Sequence, residues 1–276
     1  MLRNQRETEI PQLFKYAQIT LAGNNHTPKY GTVGTSKKFY ASWIEEGGLD
    51  LTHLIEGRMP SELDKAIFSL FAKQRLIKLI HSFTLFDGRV KKIIRYQQFF
   101  AIKSAMNKIS KSDNTGRRAG GLIWHTQGSG KSLTMVMLAK EVKRLIVNAK
   151  IIIVTDRKDL DRQIHDTFKN SEIPAKKATS GKNLIELLQS GDMSRAMNNV
   201  LVNSCYIGFT GMPLMKKEKN SFEKFGGEIH RYTIDQAVKD KAILPLLYEG
   251  RFVNQWITDK KYMDRRFDKI AKNLSD

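Results

Sequence analysis

The segment Gly121-Leu-Ile-Trp-His-Thr-Gln-Gly-Ser-Gly-Lys-Ser132 constrains this chain more than any other. A short apolar run, which predicts a strand, leads into a Gly-rich loop, and Ser132 to Val147 has the spacing of a helix. Lys150-Ile-Ile-Ile-Val-Thr155 then predicts a β-branched buried strand, and Asp159 to Phe168 predicts another helix. Strand, loop, helix, strand, helix is the pattern of an α/β fold with a parallel sheet and covering helices. The loop ends in Gly-Lys-Ser, as a Walker A phosphate loop does when it follows a strand and opens a helix. Gly128 and Gly130 allow backbone N–H groups to turn inward around an anion. Lys131 is placed for β- and γ-phosphates, and the Ser132 hydroxyl suits Mg²⁺. His125 departs from the general pattern, which has its first Gly there.

Charge points to a compatible class of partner. The 276 residues carry 47 Lys and Arg against 28 Asp and Glu, a net charge of +19, and 41% are hydrophobic, so the excess sits on a chain able to form a core. Such a balance favours polyanions, and ribosomal and membrane-surface proteins share it. Nine bases, Arg95, Arg117 and Arg118 among them, lie between Arg89 and Arg118 against one acid, Asp113. Tyr96, Phe99 and Phe100 are interleaved with them, either as a nucleic-acid surface or as a core stripe beneath a solvated helix face. A single cysteine, Cys205, excludes an internal disulfide and fits a reducing compartment. No apolar run approaches the roughly 18 residues of a membrane span, so a soluble, cytoplasmic protein is expected.

Ahead of the phosphate loop, residues 1–46 mix short apolar runs with Gly and Asn turns, predicting strands and loops. From Pro60 to Ile109 the apolar spacing turns helical, with Ser61 followed by an acid at Asp64 as a helix N-terminus.

Four ordered blocks carry a family resemblance. Arg95-Tyr-Gln-Gln-Phe-Phe-Ala precedes the phosphate loop, and Val154-Thr-Asp-Arg-Lys-Asp-Leu-Asp-Arg-Gln follows it. Gly208-Phe-Thr-Gly-Met-Pro-Leu comes next, and then Tyr232-Thr-Ile-Asp-Gln-Ala-Val-Lys-Asp-Lys-Ala-Ile-Leu-Pro, trailed by Tyr248-Glu-Gly-Arg. With these blocks the chain resembles the R (restriction, or motor) subunit of type I restriction enzymes, a superfamily-two helicase-like translocase in which His125 is a family mark. The resemblance implies a site-specific deoxyribonuclease with DNA-dependent ATPase activity, using ATP and Mg²⁺. Its partners would be double-stranded DNA and the methylation and specificity subunits. Gln98 would recognise adenine, and Thr126, Gln127, Gly128, Ser129, Gly130, Lys131 and Ser132 would hold the phosphates, with Ser132 on the metal. Asp156, Arg157, Lys158, Asp159 and Gln163 would lie where the family meets the DNA backbone, with Arg95, Arg117 and Arg118 as further contacts; Arg157 and Asp159 equally suit a turn and a helix cap. Thr210 and Gly211 would couple the ATP site to DNA, although Met212 stands where the family has Thr.

The same resemblance implies four regions: the tail of a RecB-like nuclease domain (1–46), a helical basic linker (47–118), a partial first RecA-like domain (119–250), and a stub towards a second (251–276). The nuclease's Asp and Glu-x-Lys pair does not precede Gln5. The family's Asp-Glu-x-His motif is not legible between Asp156 and Thr210, and a join near 192/193 suggests an internal deletion; Glu186 and Asp192 are poor substitutes. Such a chain is expected to be inactive in cleavage and in efficient ATP hydrolysis. A sheet short of an interior strand must close the gap or expose apolar surface. A non-enzymatic basic DNA-binding or assembly module, or a decayed gene remnant, is the competing reading.

Overall fold

The computed structural model describes residues 2–112, 114, 116–155, 158–171, 173–180, 183, 204–216, 219–245 and 259–271. Two units are distinguished, Met1–Ile243 and Leu244–Asp276.

In the first unit, β1 (Thr20–Ala22) and β2 (Lys29–Gly31) pair antiparallel. Two amphipathic helices follow, α1 (Glu62–Leu70) and α2 (Lys73–His81). The start of α1 is a capping box: the Ser61 hydroxyl accepts the Asp64 N–H at 3.3 Å, and the Asp64 carboxylate accepts the Ser61 N–H at 2.8 Å. The expected helical run to Ile109 is interrupted by a hairpin, β3 (Thr84–Asp87) and β4 (Val90–Ile93). Asp87-Gly88 is a turn signal, and Gly88 takes φ +63°, so local turn chemistry outweighs the apolar spacing there.

Helix α3 (Tyr96–Ile109) is buried on nearly every side of its first two turns and packs on the sheet. Phe99 and Phe100 are 6% and 5% exposed; Phe99 packs edge-on against Phe100, Trp43 and Phe83, and Phe100 lies tilted against Trp43. Of the two readings of these aromatics, the core stripe is the one observed, because α3 lies between the amino-terminal segment and the sheet.

The central sheet has three parallel strands. Strand β5 (Gly121–His125) lies in the middle, between β6 (Ile207–Thr210) and β9 (Glu228–Tyr232), and helix α4 (Lys131–Leu145) opens from the loop after β5. Helix α5 (Lys158–Asn170) packs on α4. Between β6 and β9 lie the short pair β7 (Met215–Lys216) and β8 (Lys219–Asn220) and helix α6 (Ser221–Phe225); α7 (Ile234–Lys239) follows β9. Ile123, Val136, Met137 and Tyr232 are among the residues closing the core around β5.

One expected strand is absent. Residues 151–155 form no strand, and Ile151, Ile152 and Ile153 are 37–40% exposed, with Val154 at 87%. Both flanks of β5 are taken by β6 and β9, so the run cannot pair with the strand it follows in sequence. The other Pro60-to-Thr155 elements fall close to their expected places. In the second unit, α8 (Lys260–Ala271) is a basic helix whose residues 261–269 are exposed. Among the described residues no helix is long and apolar enough to cross a membrane.

Candidate functional site

Parallel pairing sets the site's frame. Trp124 is opposite Thr210 of β6, and His125 is opposite Tyr232 of β9, so three strand ends converge where open α/β sheets bind ligands. Past His125, the Thr126 N–H donates to the Tyr232 carbonyl at 3.0 Å and the Ser129 hydroxyl donates to the Thr126 carbonyl at 2.7 Å. Gly128 and Gly130 take φ +82° and +84°, left-handed conformations that side-chain-bearing residues rarely adopt. The Thr134 hydroxyl bonds the Gly130 carbonyl at 3.1 Å, tying the loop to the first turn of α4.

Lys131 turns back over this loop, its Nζ donating to the carbonyls of His125 at 3.1 Å and Thr126 at 3.0 Å. Burial lowers its pKa below the usual lysine value. An ammonium held by neutral carbonyls is a site where phosphate oxygens would supply the missing negative charge. The loop amides, the amino terminus of α4 and Lys131 therefore fit an anionic phosphate chain. For a metal the protein offers less: Ser132 stands at the start of α4, and among the described residues no group of three His, Cys, Asp or Glu side chains could hold an ion.

The predicted residues around the loop are brought together. Gln98 is 4% exposed; its Oε1 accepts the Arg95 N–H at 2.9 Å, and its Nε2 donates to the carbonyls of Ser129 at 3.3 Å and Gly130 at 3.1 Å. Gly211 abuts the loop so closely that a Cβ there would lie 3.5 Å from the Gln127 nitrogen and 3.6 Å from Lys131 Nζ. The Trp124 indole donates to the Gly211 carbonyl at 3.1 Å. The Thr210 hydroxyl accepts the Met212 N–H at 3.1 Å, a local turn, while Met212 itself is 82% exposed.

The candidate DNA contacts are scattered. Arg118 donates to the Ile109 carbonyl at 2.8 Å, Arg117 and Lys158 are exposed, and Arg95 is half-buried near Tyr30 and Tyr232. Asp159 and Gln163 line an open depression with Arg162 and Asp166 of α5 and Asp87 of β3, where carboxylates outnumber bases. Gln163 reaches the Ser132 hydroxyl at 3.5 Å. Asp156, Arg157, Glu186, Asp192, the 192/193 join and Tyr248 to Arg251 lie outside the described residues.

Two polar groupings beside the loop escape sequence reasoning. Asp240 accepts the hydroxyls of Tyr96 at 2.5 Å and Tyr232 at 2.8 Å, and burial, reinforced by that carboxylate, raises both phenol pKa values. His230 Nδ1 lies 2.8 Å from His125 Nε2, and His230 Nε2 lies 2.5 Å from Glu46 Oε1. Tyr96 and Asp240 are separated by 144 residues and Glu46 and His230 by 184, so no local pattern links them.

Comparison with known proteins extends this description. The family described as SWI2/SNF2 ATPase matches residues 97–193 and 188–276. A protein of Methanocaldococcus jannaschii named as the type I restriction enzyme MjaIXP endonuclease subunit is 26% identical over 97% of this chain and 31% of its own length. The type I restriction enzyme HindI endonuclease subunit of Haemophilus influenzae is 25% identical over 99% of this chain and 32% of its own length. A third relative, named for MjaVIIP of M. jannaschii, is 36% identical over 71% of this chain and 19% of its own length. The chain thus spans about a third or less of the relatives it matches.

Proposed function

Because the chain belongs to the SWI2/SNF2 ATPase family, we propose that its phosphate loop binds Mg·ATP. We further propose that the chain is a portion of a DNA-translocating, DNA-cleaving R subunit of a type I restriction-modification system. The observation that carries this reading is the position of Gly211, which lies against Gln127 and Lys131 of the loop while its carbonyl is held by the Trp124 indole of β5. In this reading the loop amides and Lys131 hold the phosphates and Ser132 meets the metal. The metal, when bound, neutralises charge on the phosphoryl oxygens. Reading adenine requires Gln98 to exchange its bonds to Ser129 and Gly130, so base recognition and loop position would be linked. Thr210 and Gly211 would pass that state to DNA held by Arg95, Arg117, Arg118, Arg157 and Lys158. The methylation and specificity subunits would complete a cytoplasmic complex. The exposed apolar run Ile151 to Val154 is what a sheet short of a neighbouring interior strand would leave, and in this reading the chain, without a legible Asp-Glu-x-His motif, is inactive in efficient hydrolysis.

Titration calorimetry of the chain with Mg·ATP tests the proposal. Weak binding that Lys131→Ala abolishes, without DNA-stimulated hydrolysis, is the expected outcome. Turnover matching an intact motor would overturn the inactive-remnant part, and binding unaffected by Lys131→Ala would overturn the site. The net charge of +19 favours one other reading, a basic DNA-binding or assembly module without enzymatic activity. It predicts DNA affinity that falls steeply with salt and does not respond to ATP.

A further inference from the structure

The geometry points to Glu46 and His230 as positioning residues for the phosphate loop: through hydrogen bonds in series they set which nitrogen of His125 carries its proton and anchor residue 125, whose carbonyl holds Lys131. Only the consequence for affinity rests on the nucleotide reading above.

The three side chains come from distant segments, Glu46 from ahead of α1, His230 from β9 and His125 from the end of β5. His125 is fully buried and His230 is 8% exposed. A carboxylate only accepts, so at 2.5 Å the His230 Nε2 is the donor to Glu46. Across 2.8 Å, a His230 donating from Nδ1 would leave the His125 Nδ1–H as a buried donor without an acceptor, so the arrangement with every donor satisfied has the His230 Nδ1 lone pair accepting from His125 Nε2–H. This leaves His125 Nδ1 as a bare acceptor, and that atom is buried with no hydrogen-bond partner. A doubly protonated His125 is disfavoured: burial, the neighbouring His230 and the Lys131 ammonium push its pKa down to about 3. The Tyr232 ring, 5.8 Å away, closes another side. A glycine at position 125 would offer no such tie, so the imidazole anchors the entry of the loop to β9 and, through Glu46, to the amino-terminal segment.

The test uses the full chain labelled with nitrogen-15 at histidine. Long-range proton–nitrogen correlations near neutral pH should show His125 as the Nε2–H tautomer. Glu46→Ala should give mixed tautomers at His125 and lower Mg·ATP affinity by about tenfold, the scale of one lost charge-assisted hydrogen bond. Glu46→Gln, whose amide oxygen still accepts, should restore both readouts. A His125 that is charged or protonated at Nδ1 in the unmodified chain overturns the inference, as does a Glu46→Ala variant with unchanged tautomer and affinity. Should Glu46→Ala not fold, Glu46→Ser gives the same readouts. Failure of the unmodified chain to bind Mg·ATP overturns the nucleotide reading alone, because the tautomer measurement uses no nucleotide and still decides the relay.

Discussion

Two glycines with nearly the same backbone separate strain from site geometry. Gly130 has φ +84° and a Cβ on it would stand 2.5 Å from Gln98 Nε2, whereas Gly34 has φ +81° and a Cβ there would meet nothing within 4 Å. Either glycine replaced by alanine should cost about 1–2 kcal/mol for holding a left-handed conformation. Gly130→Ala should additionally displace the Gln98 amide and weaken Mg·ATP binding, while Gly34→Ala should leave affinity intact. Denaturant unfolding and calorimetry on both variants check this, and equal affinity loss in the two would refute a role for Gln98 packing.

At the level of elements, pairing rather than composition decides what is ordered. Ile151 to Val154 is more β-branched than β5, yet β5 has a partner on each side and the run has no described strand beside it. Hydrogen exchange should therefore be slow at Leu122 to His125 and fast at Ile151 to Val154; protection of the latter comparable to β5 would refute an unpaired run. Helix α1 offers a simpler case, since its capping box is local. Ser61→Ala should cost about 1 kcal/mol, measurable as a lower urea midpoint with unchanged slope.

The molecule as a whole is governed by how few acids serve so many bases. Burial opposes ionisation of Glu45 and Glu141, yet hydrogen bonds from Arg75, Ser69 and Trp43 to the first, and from Arg144 and Lys78 to the second, bring both pKa values below the usual range. Asp87, held by Lys92 and Asn170, behaves likewise. A carboxylate with a folded pKa below its unfolded value binds fewer protons when folded. Its contribution is present above the ordinary carboxylate range and is lost as pH falls through the depressed values. Unfolding free energy measured at constant ionic strength should thus decline on acidification below about pH 5, and Glu141→Gln should reduce that decline. An acid limb unaffected by the substitution would count against the Lys78–Glu141–Arg144 cluster as a contributor. With a net charge of +19, binding of the chain to DNA in the proposed role should weaken linearly in log–log form with salt.

Local chemistry was legible from the residues alone. The strand before the glycine-rich loop, the helix the loop opens and the Ser61 cap each depend on groups within a few positions of one another. The aromatics of α3, the loss of Ile151 to Val154 from the sheet, and the contacts of Gln98 with Ser129 and Gly130 were not. Each depends on which segment arrives alongside, and that choice is made by burial and by backbone groups seeking partners across the whole fold. The relay from Glu46 through His230 to His125 shows the same limit. Two histidines 105 residues apart and a glutamate before the first helix share no sequence pattern, and become one unit because parallel pairing sets β9 beside β5.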